Sequence, residues 1–446
     1  MQRHPVALMI LSTPIEPGSV RREQSPNSVR SVSPATGVVE SPTPAYTAAF
    51  GRRDPAVRGA RPAAGIQGTA PHMASLTSKE RVSRTLTRQP ADRVPRYDRF
   101  WFETELDFRK ALHLEFPPGV GWGNADAWAH RHGTLWEHFG FDLLEVGWPD
   151  YCLRRMKPEV LDETDNWVLQ RDGNWAELRW WKHKMGTPEH IRYGIDTPQR
   201  WQEVRHLIRP TRNRIRWDEF RPLFRRAREA NRFVCYGTVE PFEMIKDVLG
   251  HEIMLMAMIE EPDWIHDVFS TYTDVAVRLF QMAEAEGMAC DGAFVYGDMA
   301  YRNGPFMSPA HYREFLQPYH KKMFAEFTKR GMPVIYHSDG DIRLVLDDLI
   351  EAGVSAINPM ENSANMDLRE LALRWGDRLS FVGNIDVKVL ATNDPDRVRE
   401  EIRVKMAAAM PRQGYVYHSD HSVPPGVTLD TYRLVLAEVD RIGRYE

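Results

Sequence analysis

The sequence predicts an α/β protein: a closed (β/α)8 barrel, the TIM-barrel architecture, with a β-hairpin insertion and a disordered N-terminal extension. Three observations predict it. From residue 196 onward, apolar runs alternate with amphipathic segments in six successive strand–helix units, which implies a parallel sheet. Two earlier runs, 94–98 and 142–147, bring the strands to eight. No Gly-x-Gly-x-x-Gly follows any strand, which argues against an open dinucleotide-binding sheet.

The elements follow in order. Residues 1–72 hold ten Pro, eight Arg and only four acidic residues, with no sustained apolar period, and are expected to be disordered. Met73 is the expected start of the ordered chain, so the barrel domain is 73–446. Thr77 or Ser78 caps a helix over 78–86. Residues 89–95 turn into the first strand, and 99–141 are aromatic and amphipathic, reading as helices and loops. After the second strand the helical rhythm breaks over 151–195. Residues 166–180 alternate around Asp172-Gly173, a hairpin signal that places a β-rich insertion near the barrel mouth. Helices over 198–208 and 217–230 precede a strand at 231–238, and helices over 241–259 and 262–287 precede one at 292–296. Helices over 309–330, 342–352, 367–375 and 395–409 precede strands at 332–336, 355–357, 379–383 and 415–417. A last helix covers 428–441.

Composition narrows the function. Hydrophobic residues make up 42% and charged residues 27%, as in soluble globular proteins. A net charge of −4 gives no pull toward nucleic acid or an anionic membrane, and no apolar run approaches the ~20 residues of a membrane helix. Cys152, Cys235 and Cys290 lie far apart, which fits a reducing compartment, so the expected location is cytoplasmic. Thirteen Trp and fifteen Tyr can line a pocket for a flat or apolar ligand.

Barrels present reactive side chains at the carboxyl ends of their strands. Here those ends carry Arg96 and Asp98, Glu145, Glu240 and Glu243, Asp298, His337 and Asp339, Asn358 and Glu361, Asn384 and Asp386, and His418, Asp420 and His421. Two tips are near-copies: Tyr336-His337-Ser338-Asp339 and Tyr417-His418-Ser419-Asp420. His337 and Asp339, two residues apart on extended chain, point to one side. They can ligate a divalent metal or form a proton-transfer pair. Asp341 reads as a helix cap, and Asp339 can serve as cap or site. Gly297 would let a ligand approach the backbone before Asp298. Ser308 and Pro309 read as N-cap and first residue of a helix.

These residues, with three longer stretches, carry a resemblance. The stretches are Thr77 to Leu86 with Pro90 to Pro95; Tyr296 to Pro309, continued by Tyr312, Pro318 and Tyr319; and His337 to Ile342 with Leu349 to Gly353 and Asn358-Pro359. From about Ser75 onward the chain resembles the uroporphyrinogen decarboxylase superfamily. The resemblance implies a barrel enzyme, a small-molecule substrate and a homodimer. Together with the strand-end reading, it makes His337, Asp339, Asp298 and His421 the expected catalytic residues, the last at a place where the family sets a His near the substrate. The strand-end reading gives Arg96, Asp98, Glu240, Tyr301, Asn358, Glu361, Asn384, Asp386 and His418 as the expected substrate-binding residues. One branch, the porphyrinogen decarboxylases, has an Arg-rich stretch where this chain reads Arg96-Tyr97-Asp98-Arg99, so Arg96 and Arg99 replace it only in part. The other branch, the corrinoid-linked methyltransferases, holds zinc with a His-x-Cys tip and a later Cys. Here those places read His337-Ser338-Asp339 and 418–421, without cysteine. A site of His337, Asp339, Asp420 and His421 would be an N/O site for zinc, iron or manganese.

The leading expectation is therefore methyl transfer from a small methylated substrate to a thiol, or to a corrinoid on a partner protein. The alternatives are decarboxylation in porphyrin metabolism, which would need a wide cleft with several Arg, and a barrel that binds a tetrapyrrole or metal without turnover.

Overall fold

A computed structural model describes residues 75–114, 135–183 and 186–445. The expected disorder of 1–72, the start at Met73 and the middle of 99–141 lie outside the described residues.

Among the described residues, thirteen strands form three sheets. Seven are the staves of one parallel sheet: β1 (Leu143–Gly147), β6 (Phe233–Val239), β7 (Gly292–Tyr296), β10 (Val334–Ser338), β11 (Ala356–Pro359), β12 (Ser380–Val382) and β13 (Tyr415–Val416). Their spatial order is their chain order, the signature of helical crossovers between neighbours. Residues 95–97 fill the gap between last and first strand. Tyr97 N donates to Tyr417 O (3.0 Å), Tyr417 N to Pro95 O (2.9 Å), and Asp142 N to Arg96 O (2.7 Å). The expected first stave is thus present as a short bridge, and the sheet closes.

Side-chain alternation sorts the apolar residues into two layers. Tyr97, Leu143, Phe233, Cys235, Phe294, Ile335, Ala356, Val382 and Val416 fill the barrel interior. Leu144, Val146, Val234, Val295, Tyr336, Ile357 and Tyr415 alternate with them and pack under the helices. The helix Ser78–Leu86 sends Val82 and Leu86 into the interior layer. Thr77 and Glu80 cap it reciprocally.

The insertion is larger than one hairpin. β3 (Trp167–Arg171) and β4 (Glu177–Trp181) pair around Asp172-Gly173 as expected, and β2 (Glu159–Glu163) and β5 (Glu189–Arg192) extend them to four antiparallel strands. Their exposed, charged residues hide strand character from an apolar-run reading. Gly250, with φ +80°, splits the helix expected over 241–259 into Pro241–Leu249 and His251–Glu260. A short hairpin, β8 (Ala300–Tyr301) with β9 (Gly304–Pro305), follows β7. Among the described residues no helix is long and apolar enough to cross a membrane.

Asp142, just before β1, anchors the first helix. Its fully buried carboxylate accepts Ser78 Oγ (2.6 Å), Arg81 Nη1 (2.8 Å), Arg93 Nη1 (2.8 Å) and Arg96 N (2.8 Å). Burial alone would raise its pKa, but the Arg93 guanidinium and the other donors hold it low. Replacing Asp142 with Ala leaves Arg93 without a carboxylate and Arg81 with Asp92 alone, and should cost about 3 kcal/mol, read as a lower denaturant midpoint with the slope unchanged.

Candidate active site

The inward alternation continues past the apolar layer. One inward step beyond Leu143, Phe294, Ile335, Ala356 and Val416 stand Glu145, Tyr296, His337, Asn358 and His418, and Arg99 stands one step beyond Tyr97. All but Glu145 line a cavity of about 410 Å³ at the carboxyl ends of the strands. Trp101 and Trp148 add flat walls, and Asp298, Asp339 and His421 supply polar groups.

His337 is held in one tautomer. Asn358 Nδ2 donates to Val382 O (2.8 Å), so Asn358 Oδ1 faces His337 Nδ1 at 2.6 Å and can only accept. Nδ1 therefore carries the proton, and the lone pair of Nε2 enters the cavity. It lies 3.6 Å from Asp298 Oδ1 and 3.7 Å from Asp339 Oδ1. Burial lowers the His337 pKa and keeps the ring neutral.

Asp339 is the centre of the cluster. Its Oδ1 is buried without a hydrogen-bond partner, while Oδ2 lies 3.7 Å from His421 Nε2. Its own N–H donates to Asp298 Oδ1 (3.0 Å). Gly340, with φ +82°, turns the chain tightly beside Ala300, and its N–H donates to Glu361 Oε2 (2.8 Å). Two triads result, Asp298/His337/Asp339 and Asp339/Glu361/His421, each with donor atoms within 4.8 Å of one another. Burial, then the Asp298 carboxylate, pushes the Asp339 pKa well up.

A second imidazole carries a free lone pair. His418 Nδ1 donates to Ser419 O, and its buried Nε2 has no hydrogen-bond partner. Burial drives its pKa down to about 3, so it stays an acceptor. On the opposite side, Tyr296 OH joins Arg99 Nη1 to Glu145 Oε1 (3.1 Å from Tyr296).

The structure brings His337, Asp339, Asp298, His421, Asn358 and His418 to this cavity, with Glu361 beside Asp339. Six expected binding or metal residues stand elsewhere. Arg96 pairs with Asp440 (2.7 Å) and faces Gly140 O. Asp98, on the opposite parity to Tyr97, accepts Tyr417 OH, Ser419 Oγ and Tyr432 OH. Glu240 caps the helix Pro241–Leu249 and bonds His320 Nε2 (2.9 Å), both fully buried. Asn384 is consumed by Met360 O, Met366 O, Leu368 N and Lys405 Nζ. Asp386 caps the helix Val387–Leu390. Tyr301 is half exposed on β8, outside the cavity lining.

Two further expectations are corrected. Asp420 stands in neither triad: its oxygens accept Asn362 N (3.0 Å), Asn362 Nδ2 (2.9 Å) and Val387 N (2.9 Å). Gly297 makes room for Glu240, not for a ligand, since a Cβ there would lie 2.2 Å from Glu240 Oε1. Sequence reasoning missed Trp101, Trp148, Tyr296, Lys246 and Arg216, and gave Arg99 only a substitute's part. For Arg99 and Trp101 the signal was there: Tyr97, Arg99 and Trp101 alternate before the helix Phe102–Ala111 begins.

A closed parallel barrel with imidazoles and carboxylates converging at its carboxyl end has the arrangement in which barrel enzymes place their active sites. The family profile "Uroporphyrinogen decarboxylase (URO-D)" matches residues 196–442, and the chain belongs to that family. Curated relatives named uroporphyrinogen decarboxylase include one from Xanthomonas campestris, 25% identical over 193 residues covering 41% of this chain and 51% of the relative. One from Nocardia farcinica is 26% identical over 181 residues, covering 39% and 48%. The chain thus spans about half the length of the curated relatives it matches. A solved structure of a methyltransferase from Methanosarcina mazei has the same fold, with TM-score 0.59 and 16% identity over 82% of this chain and 98% of that one.

The raised Asp339 pKa has a stability consequence. The folded chain holds this proton more tightly than the unfolded one, so the contribution is full below the ordinary value of 3.8 and is lost as pH rises through the raised value. In chelator, Asp339→Asn should melt about 1–3 °C above wild type at pH 8, with the gap narrowing toward pH 5. Zinc or manganese should stabilise wild type more than the variant.

Proposed function

We propose that this chain is a methyltransferase of the URO-D family, acting on a small, flat methylated substrate with a divalent cation held by Asp298, His337 and Asp339. The observation that carries this is the meeting of the His337 Nε2 lone pair with the unpartnered Asp339 Oδ1 in one cavity. The donor set fits a cation. It offers a neutral imidazole in a fixed tautomer and carboxylates whose crowding a divalent charge relieves. Nitrogen and oxygen donors suit zinc, iron or manganese. When bound, the cation would supply Lewis acidity at a methoxyl or other ether oxygen.

The chain's own residues do the rest. Asn358 fixes the His337 ring, and Trp101, Trp148 and Tyr296 offer flat surfaces to a planar substrate. His421, stacked on Trp101 with centroids 5.6 Å apart, places an imidazole beside Asp339. The methyl carbon leaves its oxygen, which keeps the bonding pair and takes up a proton. The carbon bonds to an external acceptor, a thiol or a corrinoid on a partner protein, to which no residue here is assigned.

Decarboxylation, the activity in the curated relatives' names, is the competing reading. A porphyrinogen's several carboxylates call for several arginines. Only Arg99 and Arg216 line this cavity among the described residues, and Arg96 is committed to Asp440.

Elemental analysis of protein purified without a metal column separates the readings. We expect stoichiometric zinc, iron or manganese, lost in His337→Ala and Asp339→Ala. Asn358→Leu should weaken metal affinity by about 10–100-fold. No metal in the wild type, even after incubation with each ion, would overturn this reading and make His337 and Asp339 an acid/base pair, with porphyrinogen decarboxylation tested next. Metal without turnover of any methyl donor would leave the non-catalytic binding barrel.

A further inference from the structure

The cations at the cavity differ in what neutralises them. Lys246 forms an ion pair with Glu243, and Arg216 lies 3.6 Å from Glu219. Arg99 forms no ion pair among the described residues. Its Nη1 meets the neutral phenol of Tyr296, and no protein acceptor meets Nε or Nη2. Neither atom is among the fully buried ones, and Arg99 lines the cavity. The Nε–Nη2 edge is the fork that binds a carboxylate through two parallel hydrogen bonds.

The surroundings fix what carries that carboxylate. The guanidinium lies over Tyr296 at 5.0 Å from the ring centroid and near Trp148 at 5.8 Å, and those two rings are 4.8 Å apart. Stacking holds the fork in plane. The Tyr296 ring in turn lies 4.3 Å from the His337 ring. Arg99 and the His337/Asp339 cluster thus border the same aromatic surface. The Glu145 carboxylate reaches Arg99 only through the Tyr296 hydroxyl, so the Nε–Nη2 edge is left open for a directly bound anion.

We infer that the substrate is an aromatic monocarboxylate, its carboxylate on the Nε–Nη2 edge of Arg99 and its ring against Tyr296 and Trp148. This deepens the proposed function by naming the substrate class of the same cavity. The fork neither needs nor touches the metal ligands, so ligand capture is separable from chemistry.

The test measures binding to chelator-treated full-length protein, by calorimetry and by quenching of tryptophan fluorescence. The probes are 4-methoxybenzoate, its neutral amide 4-methoxybenzamide, and acetate, a carboxylate without a ring. The acid should bind at least about tenfold more tightly than either of the others. Arg99→Met should bring the acid down to the amide, and Arg99→Lys should fall between. Equal affinity for acid and amide, equal affinity for acid and acetate, no binding of any probe, or an unchanged Arg99→Met would each overturn the inference. If Arg99→Met fails to fold, as its melting curve would reveal, the three probes on wild type still decide. Because metal is absent throughout, failure here is distinct from failure of the metal analysis.

Discussion

Everything at the cavity depends on how residues 95–98 are wedged between the last strand and the first. Asp98 is the pin. Its buried carboxylate accepts the hydroxyls of Tyr417 (2.9 Å), Tyr432 (3.1 Å) and Ser419 (3.0 Å), joining the first stave to the last and to the final helix, Leu429–Ile442. Burial raises its pKa to about 7 in spite of these donors. Strand alternation does the rest: with Asp98 fixed toward the helices, Tyr97 and Arg99 turn inward. Tyr97 OH then reaches the buried Glu145, whose Oε1 also accepts Tyr296 OH. A residue outside the cavity thus sets the direction of the guanidinium inside it.

Hydrogen-bond satisfaction separates most of the polar residues at the strand ends into two groups, with Glu145, whose Oε2 is unpartnered outside the cavity lining, between them. Glu240, Asn384 and Asp420 are buried and saturated: one caps a helix and holds a histidine, one ties two loops and a lysine together, one gathers backbone donors. Removing any of them would leave orphaned partners, the mark of a structural network. Asp339 Oδ1 and His418 Nε2 are buried and have no such partner, and the Arg99 fork meets no protein acceptor. A fold does not leave buried acceptors unmade without a cost of about 1–3 kcal/mol each. Clustering them in one cavity is what a site awaiting its ligand requires.

This division is also what the sequence could and could not convey. The eight-stave barrel was legible because strands buried on both faces read as apolar runs, and the β3–β4 turn because Asp172-Gly173 announces it. His337 and Asp339 were legible because a tip two residues long puts both on one side. Which other tips face the cavity was not legible, because saturation is long-range. Arg96 finds Asp440, 344 residues away, and Asn384 finds Lys405 on a helix of the next crossover. Asp420 carries the same Tyr-His-Ser-Asp pattern as Asp339, yet Asn362 and Val387 meet its oxygens first. Asp298 and Glu361 take its place because they follow β7 and β11, the strands on either side of β10, and accept the N–H groups of Asp339 and Gly340.

The chemistry of the donors bears on which bond such a site can act on. A thiolate-rich zinc site is soft and suits a sulfur nucleophile. Here the strand tip offers Asp339, and the described cysteines lie elsewhere: Cys235 in the barrel interior, Cys152 and Cys290 outside the cavity lining. Carboxylates leave more positive charge on a cation than thiolates do, since they give up less electron density to it. On the proposed reading that favours polarising a hard oxygen over activating a thiol. The aromatic walls point the same way, for a flat ring bearing an oxygen-linked methyl presents a hard atom and a planar face together. Tyr296 contacts both the Arg99 guanidinium and the His337 ring. It is therefore the surface along which such a ring would lie, with its charged end held by one neighbour and its oxygen offered to the other.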